Sequence, residues 1–403
     1  MAEQDDKTSH LSDAGENTRA THLGRHPQDW HGIVNPPVWH ASTVLFPTFE
    51  ALVNRPALQL GTTTYGRLGT PTSHALEEAW TELEGAAGTV TCSSGLAAIS
   101  LAFLSVVKAG DHLLVADTVY GPTRHFCDDV LTRMGCQIEY FAPTESIDQL
   151  SARMQDHTRL IFCEAPGSQT FEMMDIPAIA ALAQDRGLLT LLDNTWAGPT
   201  GFKGIAHGVD MVITAGTKHL VGHSDAMLGL VASGPRCWAD LRRTQITMGQ
   251  CAGPDDLYLA ARGLRTMPLR LRQQTETGLT LARWLQDHDQ VHRVLHPALP
   301  GDPGHNLWKR DFTGACGLFG LVLKHRDLSA LAAMVDDLRL FGMGYSWGGF
   351  ESLLLPVHPP PGRTADPWPE DAGHLIRIHA GLEDPDDLIS DLSDALDRYA
   401  GKP

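Results

Sequence analysis

The stretch LLTLLDNTWAGPTGFKGIAHGVDMVITAGTKHLVGHSD, residues 188–225, decides how this 403-residue chain is read. It holds two short apolar runs, Leu188–Leu192 and Met211–Thr214, each followed at once by polar and glycine-containing text. Runs of that length bounded by turn residues have the pattern of strands buried on both faces. Asp193 comes directly after the first run and Lys218 shortly after the second, so both stand beyond predicted strand ends.

Outward from this stretch the same alternation continues. Apolar runs recur at His112–Ala116 and Arg159–Cys163, and TVTCSS (89–94) leads into a long apolar helical pattern from Gly95 to Lys108. Ser73–Gly85 reads as an amphipathic helix with Leu76, Trp80 and Leu83 on one face, and Ile176–Arg186 as another. Strands alternating with helices predict an α/β fold, a mostly parallel sheet covered on both faces, with ligands bound outside the carboxyl ends of its strands. After about Arg262 the text changes to a helix (Pro268–His288), a strand near Gly317–Leu323, a helix at Leu328–Phe341, a Pro-rich stretch at 356–369 and a terminal strand–helix pair from Leu375. This predicts a smaller α+β C-terminal domain. The expected division is a flexible tail at 1–20, an arm at 21–64 rich in proline and aromatic residues, a ligand-binding domain at 65–262 and a C-terminal domain at 263–403.

Composition narrows the function. Lys and Arg number 31 against 48 Asp and Glu, a formal net charge of −17, which argues against binding nucleic acid through its phosphates. With 42% hydrophobic residues the chain can build a core, and no run reaches the roughly 20 apolar residues of a membrane span. The polar, acidic N-terminus lacks the pattern of a signal peptide, so the expected location is cytoplasmic. The seven cysteines are scattered without a C-x-x-C pair, as expected of reduced thiols.

Three features carry the chemistry. Asp193 in Asp193-Asn194-Thr195-Trp196 is a carboxylate able to pair with a protonated ring nitrogen. Lys218 in Thr217-Lys218-His219 is an amine able to form an imine with an aldehyde. Gly95 and Leu96 open a helix whose backbone N–H groups can close on a phosphate, and the Thr217 hydroxyl can join them. These are the protein groups that pyridoxal phosphate (PLP) requires. Taken singly, each has a plainer reading: a helix cap, a solvated lysine, a turn glycine.

The runs Tyr65–Thr72 (YGRLGTPT), Asp193-Asn194-Thr195, Thr217–Asp225 (TKHLVGHSD) and Tyr345–Ser352 (YSWGGFES) resemble the Cys/Met-metabolism family of PLP-dependent enzymes, nearest to its bacterial β-lyases, over about Trp30 to Tyr399. The resemblance implies the aspartate-aminotransferase-like fold (fold type I). It implies PLP held by Lys218, Asp193 on the pyridine nitrogen, and Tyr120 stacked on the ring. It also implies a phosphate bound by Gly95, Leu96 and Thr217, with Tyr65 and Arg67 reaching in from a neighbouring subunit of a homotetramer built as a dimer of dimers. Arg377 would clamp the substrate α-carboxylate, with Ser346, Trp347 and Tyr65 lining the same pocket. The implied activity is carbon–sulfur β-elimination from a small amino-acid thioether, L-cystathionine above all and other cysteine S-conjugates besides. Trp347 narrows the pocket in the manner of β-lyases, and γ-lyase or γ-synthase chemistry is the alternative. Where many family members have a serine just before the lysine, this chain has Ala215-Gly216.

The sequence holds two further patterns. Gly344-Tyr345-Ser346-Trp347-Gly348 matches G-x-S-x-G, which in an α/β-hydrolase would make Ser346 a nucleophile, with Asp366 or Asp371 and His374 or His379 completing a triad. However, Gly348-Gly349 is a poor helix start. His219 and His223 are spaced as metal ligands on a helix would be, but Leu220 stands where a zincin has glutamate, and no metal site is expected.

Overall fold

The computed structural model describes residues 11, 13–55, 61–359, 363–365, 367–369 and 372–401. Its larger sheet has seven strands: β1 (Gly88–Cys92), β2 (His112–Ala116), β3 (Gln137–Phe141), β4 (Thr158–Glu164), β5 (Leu189–Asp193), β6 (Met211–Thr214) and β7 (Gly229–Ser233), in the order β1-β7-β6-β5-β4-β2-β3. From β6 through β5, β4 and β2 to β3 all pairs are parallel, whereas β7 runs antiparallel between β1 and β6. Every residue of β1, β2, β5, β6 and β7 is buried, which is why these strands carry apolar and small polar residues with no alternation. The smaller sheet, β8 (Val291–Leu295), β9 (Leu318–Leu323), β10 (Leu353–Val357) and β11 (Leu375–His379), is antiparallel throughout in the order β10-β11-β9-β8. It packs its own core, including Phe319, Leu321 and Ile376, against helices Met267–Gln286 and Pro385–Tyr399.

Several local readings change. The first long helix is Pro71–Glu84, not one opening at Ser73. Thr70 is its N-cap, Ser73 closes a capping box with it, and proline fits the first turn, where no N–H partner is lost. The helix predicted over Leu328–Phe341 ends at Val335. Glu16–His22, across the boundary between the expected tail and arm, forms a helix. Its Ala20 is buried, and Arg265 donates to the carbonyls of Ala20 (2.9 Å) and Leu23 (2.8 Å). The rest of the predicted tail (1–10 and 12), part of the arm (56–60), Asp366 and Asp371 lie outside the described residues.

Candidate active site

The site is built at the carboxyl ends of β4, β5 and β6. Strands β4 and β5 are in register to their last residues, so Glu164 stands beside Asp193. Asp193 is the final residue of β5 and is buried. Burial raises its pKa, but Thr195 opposes this by donating to Oδ1 from both its hydroxyl (2.5 Å) and its backbone N–H (3.0 Å). The same hydroxyl accepts from Ala215 N (2.9 Å), tying the carboxylate to the loop that follows β6.

That loop carries Lys218. Its Nζ donates to Ser346 Oγ (2.8 Å) and lies 5.4 Å from the centroid of the Trp347 ring. Burial and the Arg377 guanidinium lower the ammonium to a pKa of about 8, with the Asp193 carboxylate acting in the opposite direction. An amine so placed is available as a nucleophile and as a base near neutral pH.

Ser346 sits in the left-handed region (φ 78°), a strained conformation for a residue with a Cβ, and it is held there from several sides. Arg377 on β11 donates from Nη2 to its carbonyl (2.9 Å). Two residues on, His379 hydrogen-bonds Gly349 O (3.2 Å), to which Gln274 Nε2 also donates (2.7 Å). Trp347 meets His219 edge to face at 5.2 Å. One turn thus places Ser346 and Trp347 against Lys218 while β11 supplies the guanidinium.

Tyr120 precedes helix Gly121–His125; its N–H donates to Glu164 Oε2 (2.6 Å), and the residue is 45% exposed. Burial, with the nearby carboxyls of Glu164 and Asp193, raises its phenol pKa. Opposite, Ser94 caps helix Gly95–Val106 by accepting from Ala97 N (3.1 Å). A Cβ on Gly95 would lie 2.7 Å from Ala215 Cβ, and one on Gly229 would lie 2.1 Å from Ser94 O. The helix start, the β6 loop and β7 therefore approach backbone to backbone, leaving a cradle of main-chain groups for an anion. The Thr217 hydroxyl faces β7, donating to Leu228 O (3.2 Å) and accepting from Leu228 N (3.0 Å).

The structure thus brings Lys218, Ser346, Trp347 and Arg377 into one cluster, with Asp193 and Tyr120 beside it. Tyr65 and Arg67 are elsewhere in the chain. They line a cavity of about 350 Å³ with Trp39, Arg242, Gln245 and Cys251, and Arg67 donates to Ile246 O (2.8 Å). The hydrolase reading fails on context, because Ser346 follows no strand and opens no helix, and its hydroxyl partner is a lysine. His219 and His223 bond separate carbonyls, of Trp196 and Val221, in a segment that is not helical. Thr195, Glu164 and Gln274 escaped the sequence reading, and His379, which entered it only as a candidate triad histidine, instead bonds Gly349 O. The strand-end rule could have found Glu164, which directly follows Arg159–Cys163, but nothing local marks Gln274 or His379.

The sequence model of the Cys/Met metabolism PLP-dependent enzymes matches residues 17–397. The chain belongs to this family. A Rhizobium johnstonii protein provisionally named a cystathionine beta-lyase is 50% identical over 391 residues, covering 96% of this chain and 97% of the relative. The Escherichia coli cystathionine beta-lyase MetC is 42% identical over 388 residues, covering 95% and 98%. A crystal structure of metB from Corynebacterium glutamicum superposes with a TM-score of 0.86 at 30% identity, covering 95% of this chain and 98% of that one. The architecture is that of a fold-type-I PLP enzyme, and the cofactor is PLP. The residues present fit it: an amine depressed to about 8, a buried carboxylate with its own donors, and a backbone cradle with no side chain in the way.

Proposed function

We propose that this protein is a PLP-dependent carbon–sulfur β-lyase that cleaves L-cystathionine to homocysteine, pyruvate and ammonia. The observation that carries the reading is the convergence of Lys218 Nζ on Ser346 Oγ and the Trp347 ring, with Arg377 of β11 bonded to the same turn. The relatives' names point the same way.

In this reading Lys218 would hold the cofactor through its amine, Asp193 would pair with the pyridine nitrogen, Tyr120 would cover the ring, and Gly95 and Leu96 would face the phosphate; the Thr217 hydroxyl, which donates to Leu228 O, would have to turn from that partner to join them. Bound there, PLP supplies an electron sink for the charge left at the substrate Cα. Arg377 holds the α-carboxylate by a bidentate pair, a geometry that lysine cannot offer. The Lys218 amine, with its lowered pKa, would take the α-proton of the bound substrate, and Trp347 and Ser346 would confine the substrate side chain beside it. Tyr65 and Arg67 complete the phosphate and substrate pockets of a neighbouring subunit. The arm supports such an assembly, a homotetramer made of two dimers: Ile33, Val34, Leu45, Phe49 and Val53 are all exposed on it. Among the described residues no helix is long and apolar enough to cross a membrane, which accords with a cytoplasmic enzyme.

The test is product identification with L-cystathionine. Pyruvate with homocysteine is expected, whereas 2-oxobutyrate with cysteine would mark γ-elimination and overturn the assignment. Borohydride reduction of the holoenzyme should fix PLP on Lys218, and a Lys218→Ala chain that is labelled equally would refute the lysine's role.

A further inference from the structure

The cofactor cleft contains a second acid that the proposed roles leave without a task. Glu164 ends β4 directly beside Asp193, and the two carboxyls differ sharply in their partners. Asp193 receives the Thr195 hydroxyl and N–H and feels Lys218, while Glu164 receives the N–H of Tyr120 at 2.6 Å. We propose that Glu164 is a positioning residue: its carboxyl ties the Tyr120 backbone to the end of β4 and so sets where the Tyr120 ring stands over the cleft. The inference rests on the roles proposed for Asp193 and Tyr120.

The tie works because the peptide is held on both sides. The Tyr120 carbonyl accepts from Thr123 N (2.8 Å) and Arg124 N (3.2 Å) in the turn of helix Gly121–His125, and the Glu164 carboxyl takes the N–H. The segment before it is fastened to the loop after β4 as well. Ser168 N donates to Thr118 O (2.8 Å), and a Cβ on Gly167 would lie 2.6 Å from Thr118 Cβ. With its backbone fixed, the ring retains only its two side-chain torsions.

Burial and the Asp193 charge raise the Glu164 pKa, while the Tyr120 N–H acts in the opposite direction. The tie itself is geometric: what it requires of Glu164 is an acceptor oxygen at the Tyr120 peptide.

The experiment uses the full-length protein, apo and reconstituted with PLP, as wild type and as Glu164→Gln, Glu164→Leu and Glu164→Asp. PLP affinity of the apo forms is measured by equilibrium dialysis, and the pH midpoint of the visible band by absorbance titration. Glu164→Leu leaves the Tyr120 N–H without its acceptor and should weaken PLP binding about ten-fold or more. Glu164→Gln keeps an acceptor oxygen and should bind PLP within about two-fold of wild type, with the band midpoint unmoved within about 0.3 pH unit, since the role needs the hydrogen bond and not a charge. If Glu164→Leu does not fold, Glu164→Asp, one methylene too short, should still lose affinity several-fold. Wild-type affinity in both Leu and Asp variants would overturn the positioning role. A midpoint shift of a full unit in Glu164→Gln, or a loss of affinity there matching Leu, would show that an anion is required. A wild-type chain with no visible band would refute the underlying cofactor roles, an outcome distinct from any difference among the variants.

Discussion

Raising the pH of the apo-protein from 7 to 9 should speed its covalent capture of PLP about ten-fold and then stop mattering. The bond requires the neutral amine of Lys218, whose pKa burial and Arg377 bring to about 8. At pH 7 such a group is neutral in about one molecule in ten, whereas an ordinary lysine near 10.4 is neutral in roughly one in three thousand. By pH 9 the Lys218 fraction reaches about nine in ten and can rise no further, while the ordinary amine would gain about a hundred-fold and still be climbing. The assay is stopped-flow growth of the visible band after apo-protein is mixed with excess PLP, at pH values from 6 to 10. Arg377→Met removes a repelling cation and should move the plateau to higher pH, whereas Asp193→Asn removes the attracting carboxylate and should move it lower. A capture rate that keeps rising through pH 10 in the wild type would refute the argument.

Thr195→Val deletes the hydroxyl between Asp193 Oδ1 and Ala215 N, and should cost about 2–4 kcal/mol in urea unfolding of the apo-protein, one bond being to a carboxylate and one amide being orphaned. Because that hydroxyl helps hold the Asp193 pKa down, PLP affinity in this variant should begin to fall at a higher pH on acidification than in wild type. Gln274→Leu removes one of the two donors on Gly349 O and should raise KM for the thioether several-fold with little change in PLP affinity, as measured by steady-state kinetics beside equilibrium dialysis. Glu84 is fully buried with neither oxygen hydrogen-bonded, and burial raises its pKa to about 8. The folded state therefore binds a proton that the unfolded state has lost between about pH 4.5 and 8, so this group's contribution is complete below 4.5 and is lost as pH rises through that window. Glu84→Met should stabilise the protein at pH 8 by on the order of 4 kcal/mol and flatten its pH dependence, as read by urea unfolding at several pH values.

What could be read from sequence followed burial. β2, β5 and β6 are apolar because both faces are covered, and their ends gave Asp193 and Lys218 by position alone. β3 was missed because Gln137 and Glu139 break its text at the sheet edge, and β10 because it carries Pro356 at the edge of the smaller sheet. β7 is apolar enough to be noticed, but its antiparallel insertion between β1 and β6 is a long-range pairing with no local signal. The same limit applied in the site. The partners that hold the Ser346–Gly349 turn, Gln274 and His379, come from a distant helix and strand, and the turning of the Thr217 hydroxyl toward Leu228 depends on β7 being there. The resemblance supplied roles for Tyr65 and Arg67 that a single chain does not bring to Lys218, because the surface they occupy faces a different cavity.

That cavity offers the experimenter a built-in handle. Six of the seven thiols are buried, and burial pushes Cys92, Cys163 and Cys237 up to about 12, where they are inert to alkylating dyes. Cys251 is exposed and shares a wall with Tyr65 and Arg67. A maleimide fluorophore should therefore label the unmodified protein at this one place. Its emission would test, without any engineered mutation, the proposal that a second subunit covers that wall: a change of emission on self-association is expected, and none would count against it.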